Sequence, residues 1–521
     1  MEGKTQGISR RALLAGTTAI AAAGMATSVA RATEGANSSA QDVRSEQADS
    51  TMSCDIVICG AGAAGLWAGV EASRAGAHVI VVEKGASLAM SCGSQAGGPL
   101  AVGSKLQQES GEGFTVQTAF QDIMEWAHWS INAPVVKECL KISGETVDLF
   151  QEDFGEEMAL LPDSYGVGYR VRCVWAKDGQ LYAGATGEDR MQPLADEIVA
   201  NGGQVLMSTE MTSLVQDESG AVAGIMARGE SGTIQIDAKA VLVATGGFQG
   251  NPDMILEKFG TQVLPLGNTL SVGTGYEAMK AVGAAAGTHW GILGNEFAGS
   301  NAKDPWSFAN SNPFYSLAIQ GGLYVNRFGR RFTDEGQYAK FPLAIGGAIS
   351  LEIGGYFYGV YDQATIDGVI AADQSGEAAD KLQAAFDAGW GFKADTLEEL
   401  AEITGAEDLA QTVNTYNEYC ARGTDADFYK DSTLLVAQST APFYAFQYQP
   451  SCWATEGGVK TNDRLQVIDT DGAAIPGLYC AGVDNGSILM APYHRYEGTS
   501  LCMAFNTGRL AGKYMAEDIA K

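Results

Sequence analysis

The densest chemistry-bearing segment is Cys54 to Lys84, CDIVICGAGAAGLWAGVEASRAGAHVIVVEK. Gly60, Gly62 and Gly65, with Ala63 and Ala64 between them, form G-x-G-x-x-G. The preceding Asp55 to Cys59 reads as a short apolar strand. Leu66 to Ala75 has helical spacing, with small residues where a helix would meet a sheet. Gly76 stops that helix, and His78 to Val82 reads as a second strand ending in Glu83, 18 residues after Gly65. Each part has a job in holding a dinucleotide. The glycines allow a tight turn and close approach of backbone to a pyrophosphate, and the helix N-terminus attracts that anion. A carboxylate at Glu83 can accept from ribose hydroxyls. A lone G-x-G-x-x-G means little in a chain with 66 glycines, but here strand, turn, helix, strand and acid occur in order.

The elements that must position this site are spread along 521 residues, enough for two to four domains at about 150 each. Hydrophobic residues make up 46% and charged ones 18%, which suits a large buried core and excludes a mainly disordered chain. The net charge of −29 argues against nucleic acid as a partner, because phosphate backbones would be repelled. The nine cysteines are odd in number and scattered, with no C-x-x-C. They do not read as a disulfide framework, a haem attachment or an iron–sulfur site. Histidines number only four, with no H-x-x-x-H spacing, so no metal site is expected.

The N-terminus carries Arg10-Arg11, a weakly apolar run from Ala12 to Ala30, and Ala30-Arg31-Ala32 as a cleavage site. This order predicts a twin-arginine export signal over 1–32, a flexible linker over 33–51, and a periplasmic or cell-surface-associated protein. Export bears on the cofactor. A nicotinamide cofactor diffuses and is scarce outside the cytosol, whereas tightly held FAD can leave with its folded protein. Three further segments suit close approach to FAD. Ser91 to Gly98 is a second small-residue loop that includes Gly97. Val241 to Phe248, VLVATGGF, is an apolar strand running into Ala244, Thr245 and Gly246. Ile475 to Gly482 is another strand entering a glycine turn. Their separation requires a discontinuous FAD domain.

With GAGAAG, VLVATGGF, GGVKTND…GAAIPGLYCAG and FNTGRLAG in this order, the chain resembles the flavoprotein family of fumarate reductase, succinate dehydrogenase and 3-ketosteroid dehydrogenase. The resemblance covers nearly the whole mature chain. It implies an α/β fold, with a Rossmann-like FAD-binding domain over 52–289 and 448–521. An inserted α+β capping domain over 290–447 would close on the flavin. The FAD is expected to be non-covalent, with Lys84, Asp484, Ser500 and Leu501 joining the residues that hold it. Val483 stands where family members carry a ribityl-binding Glu, and Asp484 is the candidate substitute. Hydride would pass between flavin and an activated C=C, with a cap-domain acid supplying the proton.

The resemblance also nominates catalytic positions. Arg495 falls where fumarate reductases carry a carboxylate-binding Arg, and an Arg fork pairs with a carboxylate at two points. His494 stands where the steroid enzymes carry a ketone-binding Tyr. In L-Y-V-N-R-F-G-R-R-F-T-D-E-G-Q-Y-A-K, Glu335 matches a family Glu, but Ala339 replaces the fumarate-type proton donor. Tyr338 and Lys340 are the alternative acids. Cys452 and Trp453 occupy the place of a carboxylate-binding His, and 313–322 lacks the charged residues of a proton relay. These departures point away from fumarate and toward a larger aryl or alkyl enoate. A membrane-linked cytochrome or quinol system would donate electrons. The competing readings are a 3-oxosteroid or other enone reductase or dehydrogenase on the same fold, and a flavin-carrying protein without its own substrate.

Overall fold

The computed structural model describes residues 48–163, 167–177, 180–182, 190–293, 296–299, 322–337, 352–373, 376–490, 493 and 496–521. The expected signal over 1–32, most of the expected linker, and Tyr338, Lys340, His494 and Arg495 lie outside the described residues.

The labelled elements are β1 (Ser50–Cys59), α1 (Ala63–Arg74), β2 (Val79–Val82), β3 (Gly232–Val243), β4 (Phe443–Cys452), β5 (Ala474–Cys480) and α2 (Thr499–Ile519). β1 pairs in parallel with β2 on one side, from Ile56↔Val79 to Cys59↔Val82. On its other side it pairs in parallel with β3, from Ser50↔Ile234 to Cys59↔Val243. β5 continues this sheet beyond β3, and Gln204–Leu206 continues it beyond β2. Ile56 to Cys59 and Val79 to Val82 are buried throughout, as parallel strands covered on both faces require. A hairpin of Glu210–Gln216 and Val222–Gly229 is added antiparallel to β3.

β1 starts earlier than the sequence suggests. Ser50, Thr51 and Met52 belong to the expected linker and first domain residue, yet they pair with Ile234, Gln235 and Ile236. The Asp49 carboxylate accepts from the Thr233 N–H at 2.9 Å. Polar residues are tolerated here because this end of the strand is largely exposed.

A second sheet is built around β4, which pairs with Leu264–Pro265, Glu296–Gly299, Phe357–Asp362 and Gly391–Ala394. Leu323–Val325 pairs in turn with Phe357–Asp362. Aromatic rings fill one side of this sheet, with Phe297 5.3 Å from Phe357 and 4.9 Å from Tyr448. The sheet therefore draws strands from 264 to 452, beyond both ends of the span 290–447.

Two helices back the first sheet. A Cβ on Gly508 of α2 would lie 2.2 Å from the Ala64 carbonyl oxygen, and one on Gly512 would lie 2.3 Å from that of Ala68. α1 and α2 thus touch backbone to backbone. Arg509 locks the contact by bonding Glu71 at 2.6 Å and Glu145 at 2.9 Å. Gly508→Ala is expected to cost about 1–3 kcal/mol by overpacking, read as a lowered urea midpoint with an unchanged slope. All nine cysteines are free, and burial pushes the thiols of Cys59, Cys139 and Cys480 upward. No helix among the described residues is long and apolar enough to cross a membrane.

Candidate functional site

The carboxyl ends of β1, β3 and β5 converge, which is where open α/β sheets bind ligands. The Ala244 N–H bonds the Cys59 carbonyl at 2.9 Å, and the Ala481 N–H bonds that of Val243 at 3.2 Å. Gly60 leaves β1 at φ +107, and a Cβ there would sit 2.3 Å from the Ala244 oxygen. A Cβ on Gly65 would lie 1.8 Å from the Gly60 oxygen. Both positions admit only glycine. Gly62 is the N-cap of α1 and makes no side-chain cap bond, so the first turn, Ala63 and Ala64, carries no side-chain acceptor from its cap. This is the geometry of an anion cradle.

Glu83, at the end of β2, accepts from the Ala61 N–H at 2.8 Å and the Gly85 N–H at 2.6 Å. It braces the fingerprint turn while standing one strand away from it. Lys84 is tied to Glu210 at 3.1 Å. Ser91 caps a short helix, Cys92–Gln95, by accepting from the Ser94 N–H at 3.2 Å. That helix seats against α1, where a Cβ on Gly93 would lie 2.9 Å from that of Ala63. Gly98 then passes close to the Cys173 backbone, whose oxygen is 2.0 Å from where a Gly98 Cβ would be.

On the opposite side of β1, Asp484 organises the turn after β3. Its carboxylate accepts from the backbone N–H groups of Thr245, Gly246 and Gly247 and from the Thr245 hydroxyl. Burial pushes this acid up, and the four donors pull it back. Asp484 therefore positions the A-T-G-G turn with its own carboxylate, a role not read from its place beside Val483. Gly482 donates its N–H to the Thr507 hydroxyl at 3.0 Å, and a Cβ on it would be 3.2 Å from that of Ala64. The Ser500 N–H bonds the buried Tyr493 hydroxyl at 2.9 Å, and Leu501 is buried beside it. Gly498, the N-cap of α2, again makes no side-chain cap bond.

Gly60, Gly65, Gly246, Gly482 and Asp484 meet in a cradle at the carboxyl ends of β1, β3 and β5, while Lys84 is paired with Glu210. The cradle's glycine floor, its open helix N-terminus and its acid at the β2 end fit FAD. Thr455, Glu456 and Thr507 escaped the sequence reading. Thr455 accepts from the Phe248 N–H at 3.0 Å, and Glu456 is buried with no partner on either oxygen among the described residues. The signal for Glu456 was available: a lone acid in the otherwise uncharged run C-W-A-T-E-G-G. Trp453 is half-buried, and its carbonyl sits 1.9 Å from where a Gly267 Cβ would be.

Of the catalytic candidates, only Glu335 lies among the described residues. Arg331 donates to it twice, at 2.9 Å each, and also to Asp425 at 2.8 and 2.9 Å. Lys430 stands 3.4 Å from Glu335. All four side chains are almost completely buried. Burial would raise the Asp425 acid, but Arg331 and two backbone donors hold it down at about 2. No group among the described residues could hold a metal ion.

Comparison with known proteins agrees with this geometry. The family described as FAD binding domain matches residues 55–501. A vinyl phenol reductase from Lactiplantibacillus plantarum is 29% identical over 489 residues, covering 89% of this chain and 97% of that protein. A fumarate reductase (cytochrome) from Shewanella frigidimarina is 28% identical over 480 residues, covering 89% and 77%. The structure of 3-ketosteroid delta1-dehydrogenase from Sterolibacterium denitrificans superposes with a TM-score of 0.73 at 18% identity, covering 89% and 100%, a likeness of fold. The strands, the cradle and the family match together show that the chain belongs to the FAD binding domain family and is an FAD-dependent oxidoreductase.

Proposed function

We propose that this flavoprotein reduces the activated C=C bond of an α,β-unsaturated carboxylate with an aryl or alkyl substituent larger than that of fumarate. What supports the reading is the FAD cradle together with Arg495, which stands four residues before α2 in sequence, at the place where fumarate reductases carry a carboxylate-binding Arg. Relatives named for reducing vinyl phenol and fumarate support C=C reduction as the reaction.

Bound FAD supplies a hydride. Arg495 holds the substrate carboxylate and offsets the negative charge that builds beside it when hydride adds to the β carbon. Tyr338, or Lys340 two residues further along the chain, delivers a proton to the α carbon, so that one hydride and one proton saturate the bond. A phenol near pKa 10 needs a cationic neighbour for this task. His494 stands beside the anchor in sequence. Trp453 offers an apolar wall for a ring. Glu335, held by Arg331 and Lys430, acts as a positioning residue three places before Tyr338. The export signal motivates a site of action outside the cytosol, with electrons from a membrane-linked cytochrome or quinol system.

A second reading is a neutral substrate, a styrene or an enone. It is favoured by the vinyl phenol reductase relative, which covers 97% of its own length. One anaerobic experiment decides between them. The purified holoprotein is reduced with a viologen and mixed with cinnamates, urocanate, fumarate, 4-vinylphenol and enone steroids. Reoxidation of the flavin is expected to be fastest with an aryl enoate. Reoxidation by neutral alkenes or enones alone rejects the lead reading.

A further inference from the structure

We propose that the Glu456 carboxyl is a hydrogen-bond donor to the ring system of the bound FAD. Its position carries the inference. Glu456 ends the short strand Ala454–Glu456, which pairs with Gly291–Leu293. Side chains alternate along a strand. Thr455 points to the Phe248 N–H in the turn after β3, so Ala454 and Glu456 face the other way. Ala454 belongs to the same core cluster as Ala63 and Ala64 at the start of α1, Leu501 at the start of α2, and Tyr493, six residues before α2. The next residues pin the strand: a Cβ on Gly458 would lie 1.8 Å from the Asp484 oxygen.

The sheet order gives the direction of the cofactor. β2, β1, β3 and β5 lie side by side. Glu83 at β2 suits the ribose of the adenosine and the fingerprint at β1 suits the pyrophosphate, so the ring system extends toward β3 and β5. That is the side of Thr245, Asp484 and Glu456.

Glu456 is 2% exposed, and neither carboxyl oxygen has a hydrogen-bond partner among the described residues. Buried polar groups are almost always paired, so an orphan carboxyl is costly unless a ligand completes it. Burial alone raises this acid to about 8, which keeps it protonated and therefore a donor near neutrality. Among the described residues, its charge would act directly on Tyr493, with Arg172 and Cys502 beside Tyr493 and Asp484 behind Gly458. Tyr493 already accepts from Ser500.

The test uses the full chain, stripped of FAD and reconstituted, as wild type, Glu456→Leu and Glu456→Gln. Removing an orphan acid is expected to raise the melting temperature of the FAD-free protein in Glu456→Leu. The same change is expected to weaken FAD binding about tenfold, measured by recovery of flavin fluorescence on dilution. The flavin midpoint potential should fall by about 30 mV, which is tenfold for a two-electron couple, because a donor favours the electron-rich reduced ring. Glu456→Gln keeps a donor and should hold both quantities within about threefold of wild type. A merely structural carboxyl would make Glu456→Leu lower the stability of both forms together. That result overturns the proposal, as do an FAD affinity and potential unmoved in both variants, or a change confined to substrate KM.

Discussion

Arg495→Ala is expected to lower kcat/KM for an aryl enoate by about a thousandfold, while activity on a neutral alkene of similar shape changes by less than about threefold. Truncating one partner of a buried, hydrogen-bonded charge pair costs about 2–5 kcal/mol, and each 1.36 kcal/mol is tenfold in rate. Much of the loss should fall on kcat, because the carboxylate-side charge grows as hydride arrives. Arg495→Lys keeps the charge and loses the two-point fork, so a loss of about tenfold is expected. The flavin absorbance per protein serves as the control, since the cradle residues are untouched. Equal losses on charged and neutral substrates would show that Arg495 supports the site only indirectly.

The sequence made the first sheet legible because its signals were redundant. At Gly60, Gly65 and Gly482, strand, turn and helix all converge on one arrangement, and the residue type has a steric cause visible at each position. The second sheet was legible only as an inserted span. β4 crosses its expected boundary because the run Phe443–Cys452 is apolar and aromatic, and such a run does not reveal which of two cores receives it. Asp484 was noticed for its neighbour Val483, and its work on the A-T-G-G turn could not be read, since residues 245–247 lie far away in sequence. Glu456 stood out as a lone acid in an uncharged run, but its lack of a partner among the described residues is a fact of three-dimensional packing.

Glu335 was nominated for its place in a motif, and its surroundings give the second large prediction. Arg331→Met should destabilise the fold by about 3–5 kcal/mol, because it leaves Asp425 buried with only the backbone N–H groups of Asp427 and Lys430 among its described donors, and Glu335 with the Lys430 ammonium and the Tyr324 N–H. The measurement is the urea midpoint of the holoprotein. The pH dependence tests the cause. Asp425 titrates near 2 in the fold and near its ordinary value of about 3.9 when unfolded. Its contribution is therefore present above about pH 4 and is lost as pH falls toward 2. In Arg331→Met the main depressing partner of Asp425 is gone, burial prevails there, and the sign reverses: protonating Asp425 now relieves the fold. Wild type should lose stability from pH 5 to pH 3, and the gap between it and the variant should narrow across that window. A gap that stays constant with pH would mean that the loss reflects packing of the Arg331 side chain against Tyr416 and Phe428, with the charge network contributing nothing measurable.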